Sequence, residues 1–155
     1  MMRVLVPILI AAAAFLPGPL AAQQGSQSVI GGEAMPAVVA TPEEQPSLDE
    51  LLWQARPLVV FADSANDPRF RQQIAELEEG AAGLEDRRVV ILTDTDPAAR
   101  GPLRQKLRPR DFGIVLIDTD GTVVQRRPSV TTAREIMNLI DRLPSRRQET
   151  GSRRP

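Results

Sequence analysis

Apolar runs and amphipathic stretches alternate through the middle of this 155-residue chain. The runs at 57–61 and 89–92 are continuous and β-branched, a pattern typical of strands buried on both faces. Between them, apolar residues from Phe70 to Leu84 recur at helical spacing, and Asp67-Pro68 supplies a helix-start signal. This order predicts a β-α-β unit with two parallel strands.

A hairpin and a final helix are predicted downstream. The apolar runs 114–117 and 122–125 flank Asp118-Thr119-Asp120-Gly121, in which the glycine accepts the positive φ that tight turns require. Thr132 and Glu135 then form a capping box ahead of a helical pattern that stops at Pro144.

Two further helical segments have weaker signals. Ser47 and Glu50 form a capping box that predicts a short helix ending before Arg56-Pro57, with Trp53 as its anchor. A second stretch begins at Asp96-Pro97, is interrupted by Gly101-Pro102 and stops at Arg108-Pro109.

The complete order is helix, βαβ, helix and ββα. It predicts an α/β fold, a thioredoxin-like three-layer sandwich. Another small α/β sandwich, with the hairpin placed differently, fits the same periodicity.

The composition removes the usual chemistry of that fold. A thioredoxin-like protein works through a thiolate after its first strand, but this chain has no cysteine, histidine or tyrosine. The loop after the first predicted strand reads Asp63-Ser-Ala-Asn-Asp67, with no CxxC motif. Thiol exchange is excluded, and the commonest ligands of zinc and haem are absent, so we expect no catalytic residue, metal or cofactor.

The ends of the chain predict export. Arg3 precedes an apolar stretch and Pro17-Gly18-Pro19, which is the order of a cleavable signal peptide at residues 1–22, cut near Ala22. A flexible linker is expected at 23–46, the thioredoxin-like domain at 47–145 and a polar basic tail at 146–155. The arginine-rich composition, with one lysine among 19 basic residues, favours a bacterial periplasmic or secreted protein with no membrane span after cleavage.

The charged residues suggest two kinds of site. Asp63, Asp94 and Asp96 follow the two parallel strands and should share one rim of the sheet, where carboxylates can bind a hard cation. Asp118 and Asp120 should lie at the opposite rim as turn residues. The basic segment 100–110 is interpreted as a solvated helix face, because no aromatic residues are interleaved for stacking on nucleic acid.

Four segments resemble the domain-of-unknown-function 4174 family: Arg56–Ala62, Asp67-Pro68, Asp120-Gly121 and the closing Ile140–Glu149. The resemblance covers roughly residues 47–149. It implies a thioredoxin-like fold of short exported bacterial proteins, with a similar domain in vertebrate matrix proteins that carry sushi repeats or coiled coils. This chain departs from the family at Leu143 and Ser145, where methionines are common. It also has Phe112 where thioredoxins place a cis-proline.

These observations predict a non-catalytic binding or interaction module of the bacterial envelope. Its partner would be an unidentified protein or envelope component, not nucleic acid. The alternative is a weak metal- or anion-dependent activity at the Asp63/Asp94 rim. The candidate interaction or family-signature positions are Arg56, Asp63, Asp141, Pro144, Arg146 and Glu149, and the segment 140–149 could be structural or a binding site.

Overall fold

The computed structural model describes residues 45–152. The predicted signal peptide at 1–22 and the part of the predicted linker at 23–44 lie outside these residues. The elements, in chain order, are β1 (Arg56–Phe61), α1 (Pro68–Glu79), α2 (Ala81–Asp86), β2 (Val89–Asp94), α3 (Pro102–Leu107), β3 (Gly113–Ile117), β4 (Val123–Arg127), α4 (Ala133–Asp141) and α5 (Pro144–Gly151).

The four strands form one mixed sheet in the order β2-β1-β3-β4. Strands β1 and β2 are parallel, with Arg56 opposite Val89 and Phe61 opposite Asp94. Strand β3 is antiparallel to both β1 and β4. This is the thioredoxin-like arrangement predicted from the order of apolar runs.

Alternate residues of the strands build two cores, one on each face of the sheet. Leu58, Val60 and Ile91 face helices α1, α2 and α4. Val59 and Phe61 face the other layer, which is made by residues 48–55 and α3. Because both faces are covered, the central strands β1 and β3 are apolar except at Arg56, and the three-layer sandwich is confirmed.

The short helix predicted after Ser47 is wrong. Ser47 and Glu50 do form the reciprocal capping bonds, at 3.2 and 3.3 Å, but residues 48–54 are turns. Trp53 adopts a left-handed backbone with φ of 63°, and its N–H donates to the carbonyl of Thr119 at 2.6 Å. That conformation diverts the chain from a helical path. Trp53 is 72% exposed, so the prediction that it anchors this segment is also wrong.

Two other helices differ from their predicted extent. The helical pattern after β1 is divided at Gly80, where a Cβ atom would overlap Ala133 of α4. Helix α3 begins at Pro102, while Asp96 caps a preceding turn by accepting the N–H of Ala98 at 2.9 Å. In both places glycine or proline breaks a continuous pattern of apolar residues.

Candidate functional site

The sheet has two rims with different chemistry. We call the end of the sheet at which β1 and β2 begin and β3 finishes the amino rim. The opposite end of the sheet is the carboxyl rim. Arg56 lies at the amino rim, and Asp63 follows the far end of β1 at the carboxyl rim. The register of β1 with β3 places Asp118 at the amino rim, as the topology predicted.

Arg56 is the centre of the amino rim. It is fully buried, and all five of its side-chain N–H groups donate hydrogen bonds. Nε bonds Asp118 at 3.0 Å, and Nη1 bonds the Arg87 carbonyl at 3.0 Å. Nη2 bonds the Ser145 hydroxyl at 2.9 Å, and the two Nη atoms hold the Glu149 carboxylate at 3.3 and 3.0 Å. A buried cation with every donor used is fully compensated.

Helix α5 brings the closing segment to this rim. Pro144 occupies its first turn, where a missing N–H costs nothing. Arg146 is buried and pairs with Asp86 at 2.6 Å and Glu149 at 3.4 Å. The polar tail expected from residue 146 is therefore helical to Gly151.

A second set of ion pairs lies around Arg56 and its partners. Arg87 forms two bonds of 2.8 Å to Asp141, and Arg88 pairs with Glu149. These contacts join the turn before β2 to helices α4 and α5. The amino rim thus ties the start of two strands to the end of the domain.

The arginines shift the titration of their partners. Burial acts to raise the pKa of Glu149, but hydrogen bonds from Arg56 and Arg88 and their charges bring that pKa below its usual value. The hydrogen bond from Arg87 lowers the pKa of Asp141 below its usual value. Both carboxylates are therefore held in their charged forms.

The carboxyl rim has a different character. Residues 63–66 are exposed, and Asp67 caps α1 by accepting the N–H of Arg69 at 2.8 Å. Asp94 pairs with Arg104 at 2.8 Å, each side chain being 11% exposed. Arg104 also donates to the Ala62 carbonyl at 2.6 Å, so it fixes the start of the loop that follows β1.

These contacts bear on the metal hypothesis. Asp94 is engaged by a guanidinium, so a cation would have to displace Arg104 to bind there. Within residues 45–152 no three acidic residues are grouped so as to hold a metal ion.

Two hollows open at the carboxyl rim. One, of about 360 Å³, lies beside the end of β2 and is lined mainly by apolar surface around Leu48, Pro102 and Leu103. The other, of about 400 Å³, lies where β1 and β4 end and β3 begins. We call the second the arginine hollow; its charged and aromatic lining is Phe61, Arg69, Arg108, Arg110, Asp111, Phe112, Arg126 and Arg127.

The comparison with protein families agrees with the resemblance seen in the sequence. The family model described as a domain of unknown function, DUF4174, matches residues 47–149. The chain belongs to the DUF4174 family.

Relatives of this DUF4174 chain include larger proteins. Sushi repeat-containing protein SRPX of Rattus norvegicus is 28% identical over 119 residues, which cover 66% of this chain and 26% of the relative. SRPX of Homo sapiens is 26% identical over 119 residues, which again cover 66% of this chain and 26% of the relative. The chain spans about a quarter of the length of these curated relatives.

A solved structure shows the same fold. The reduced 2-Cys peroxiredoxin of Plasmodium vivax superposes with a TM-score of 0.53 and 14% identity, over 66% of this chain and 84% of that one. At this identity the likeness concerns the fold alone.

The structure separates the candidate positions of the DUF4174 chain into two groups. Arg56, Arg146 and Glu149 meet at the amino rim with Asp141 beside them, while Asp63 stands apart at the carboxyl rim. Sequence reasoning missed the second role of Asp118, which starts the hairpin turn and also pairs with Arg56. An arginine directly before an apolar strand was the available signal, because burial of that strand requires acidic partners for its first residue.

Within the described chain no helix is both long and apolar enough to cross a bilayer.

Proposed function

We propose that this DUF4174 domain is a non-catalytic binding module whose partner meets it at the carboxyl rim. The proposal rests on the contrast between the two rims. At the amino rim the buried guanidinium of Arg56 has all of its donors bonded inside the domain. At the carboxyl rim, hollows of about 400 and 360 Å³ flank an exposed loop.

The absence of a thiol supports binding over catalysis. The loop after β1 occupies the place where thioredoxin-like enzymes hold their thiolate, and the chain encodes no cysteine. Ser64 in the same loop uses its hydroxyl to accept the Asn66 N–H at 3.1 Å, an ordinary turn contact. A recognition surface needs only shape and charge at this position.

We further propose that the module acts outside the cytoplasm, in the periplasm or after secretion. The support is the order of Arg3, an apolar stretch and helix-breaking prolines before Ala22. The partner is then a protein or another component of that compartment.

The closing segment 140–149 has a structural role in this proposal. Its buried Arg146 pairs with Asp86 at the end of α2, and its half-buried Glu149 pairs with Arg56 at the start of β1. These polar groups are thus used inside the domain.

Site-specific cross-linking tests the proposed surface. Since the chain has no cysteine, Asp63→Cys provides a single attachment point for a photoreactive maleimide in the exposed loop of the carboxyl rim. Glu85→Cys provides a matched point on exposed α2, near the amino rim. Each labelled protein is irradiated with envelope extract, and the covalent adducts are identified by mass spectrometry.

The expected result is a discrete adduct from the Asp63 position, at a yield well above that from the Glu85 position. Equal adducts from both positions would contradict the proposal. So would insulin reduction or peroxide consumption by the purified protein above background.

A further inference from the structure

The arginine hollow carries more positive charge than its own residues neutralise. Five arginines line it, and Asp111 is the one acidic side chain among its described lining residues. Arg69 pairs with Asp67 at 3.0 Å. The other four, Arg108, Arg110, Arg126 and Arg127, form no ion pair within the described chain.

Neutral groups position two of these side chains without cancelling their charge. Arg126 donates to the Leu107 carbonyl at 2.7 Å. Arg127 donates to the amide oxygen of Gln125. These bonds hold both guanidinium groups beside the hollow, and their charge is left for another partner.

Apolar surface lies behind the charges. Phe61 and Phe112 line the hollow and are almost fully buried, and the Arg69 guanidinium lies over the Phe112 ring at 5.0 Å. A charge against such a wall is less screened by water than one on an open surface. The volume of about 400 Å³ also falls in the range of small-molecule sites, roughly 300–1,000 Å³.

We infer that the arginine hollow binds a multiply charged oxyanion of the phosphate-ester class. Guanidinium groups bind phosphate through paired N–H donors, and several arginines around one hollow suit a ligand with several charged oxygens. The inference rests on the proposed function, because it assigns a ligand chemistry to the carboxyl rim. The phosphate can belong to a soluble ester or to a phospholipid headgroup.

Arg108 allows a clean test because of its backbone. It ends α3 in the left-handed conformation, with φ of 49°, which glycine adopts at no steric cost. Arg108→Gly therefore removes a charge from the hollow without disturbing the fold. Arg100 has the same conformation, with φ of 47°, and does not line the hollow. Arg100→Gly is thus a control matched in charge and backbone.

The measurement is calorimetric titration of the purified protein with pyrophosphate at low ionic strength. We expect saturable binding that weakens about tenfold or more in Arg108→Gly and in Arg110→Ala, as for loss of a charged hydrogen bond. Arg100→Gly should bind like the parent protein. Vesicles of phosphatidylcholine with and without phosphatidic acid, whose headgroup is a phosphomonoester, form the second arm, with pyrophosphate as competitor.

The binding of the two probes tests the inference and separates the two sources of phosphate. Binding of pyrophosphate without binding of anionic vesicles indicates a soluble phosphate ligand, and vesicle binding that pyrophosphate displaces indicates a headgroup. Both results support the inference. It is overturned if neither probe binds, if vesicles bind and pyrophosphate does not displace them, or if Arg108→Gly and Arg100→Gly bind equally well. If no anion binds but the Asp63 position still gives a specific cross-link, the proposed function stands and only the inference of an anionic ligand is withdrawn.

Discussion

Arg56 and Glu149 are 93 residues apart in the sequence, and their side chains form a two-bond ion pair with Nη2–Oε1 at 3.0 Å. The arginine begins the first strand, and the glutamate lies in the last helix. Because the Arg56 side chain is fully buried, its charge depends on these internal acceptors. The pair therefore fastens the end of the domain to its first strand.

The neighbours Arg146 and Arg147 should differ sharply in their contribution to stability. Arg146 is buried and pairs with Asp86 and Glu149, whereas Arg147 is exposed. We expect Arg146→Ala to lower the free energy of unfolding by about 1–3 kcal/mol, since hydration of exposed Asp86 offsets part of the loss. Arg147→Ala should stay within about 0.5 kcal/mol of the parent in urea unfolding. Equal midpoints would show that Arg146 is not packed.

Helix α4 should depend on its buried face. Ile140 is fully buried against the core formed with α1 and α2. Ile140→Ala should lower the free energy of unfolding by about 2–5 kcal/mol, from lost burial and the cavity left behind. Asn138→Ala, on the exposed side of the same helix, is the control and should unfold like the parent. A parental urea midpoint for Ile140→Ala would refute the packing of this helix.

Stability should fall in acid. The pKa of Glu149 is lowered from its usual 4.5, and that of Asp141 from its usual 3.8. Between the folded and unfolded pKa values of each carboxyl the unfolded chain binds more protons than the folded chain. The stabilisation is therefore complete above the unfolded pKa and disappears as pH falls through the lower folded pKa. Urea unfolding between about pH 6 and pH 3 measures this slope. Asp141→Asn should reduce it, and an unchanged slope would contradict the Arg87–Asp141 contact.

Trp53 should be replaceable without loss of stability. Its left-handed backbone costs an ordinary residue about 1–2 kcal/mol, and its side chain is 72% exposed. Trp53→Asn should leave the free energy of unfolding unchanged or raise it by up to about 1 kcal/mol, since asparagine tolerates this conformation. Leu51→Ala, two residues earlier at a buried position, should lose about 2–5 kcal/mol in thermal unfolding. A similar loss in both variants would mean that the indole is packed.

Much of the fold was predictable because its signals are local. The apolar runs of β1 and β2, the Asp118–Gly121 turn and the Thr132–Glu135 capping box all appear in the structure. The turn at 48–54 was not predictable from the capping box, since the Trp53 N–H takes its partner from Thr119, in the distant hairpin. The local sequence pattern contains no information about a hydrogen-bond acceptor in a distant segment.

The candidate sites were harder to predict. The family-like segments pointed to Arg56 and Glu149, yet neither periodicity nor composition indicates that the two side chains meet. The basic residues at 108 and 110 were interpreted as a solvated helix face, but α3 ends at Leu107 and both follow it. They line a hollow together with Arg69 and Arg127 because the sheet brings the ends of β1 and β4 together. That convergence is a property of the topology.

The central claim is that the closing segment is structural and leaves the carboxyl rim for binding. The free energy of unfolding of Glu149→Gln, measured in urea beside exposed Glu78→Gln, tests it most directly. We predict a loss of about 2–3 kcal/mol for Glu149→Gln, because Arg56 keeps Asp118 but loses its bidentate partner. Glu78→Gln should unfold like the parent. If both variants unfold alike, Glu149 does not hold the fold together, and the claim is contradicted.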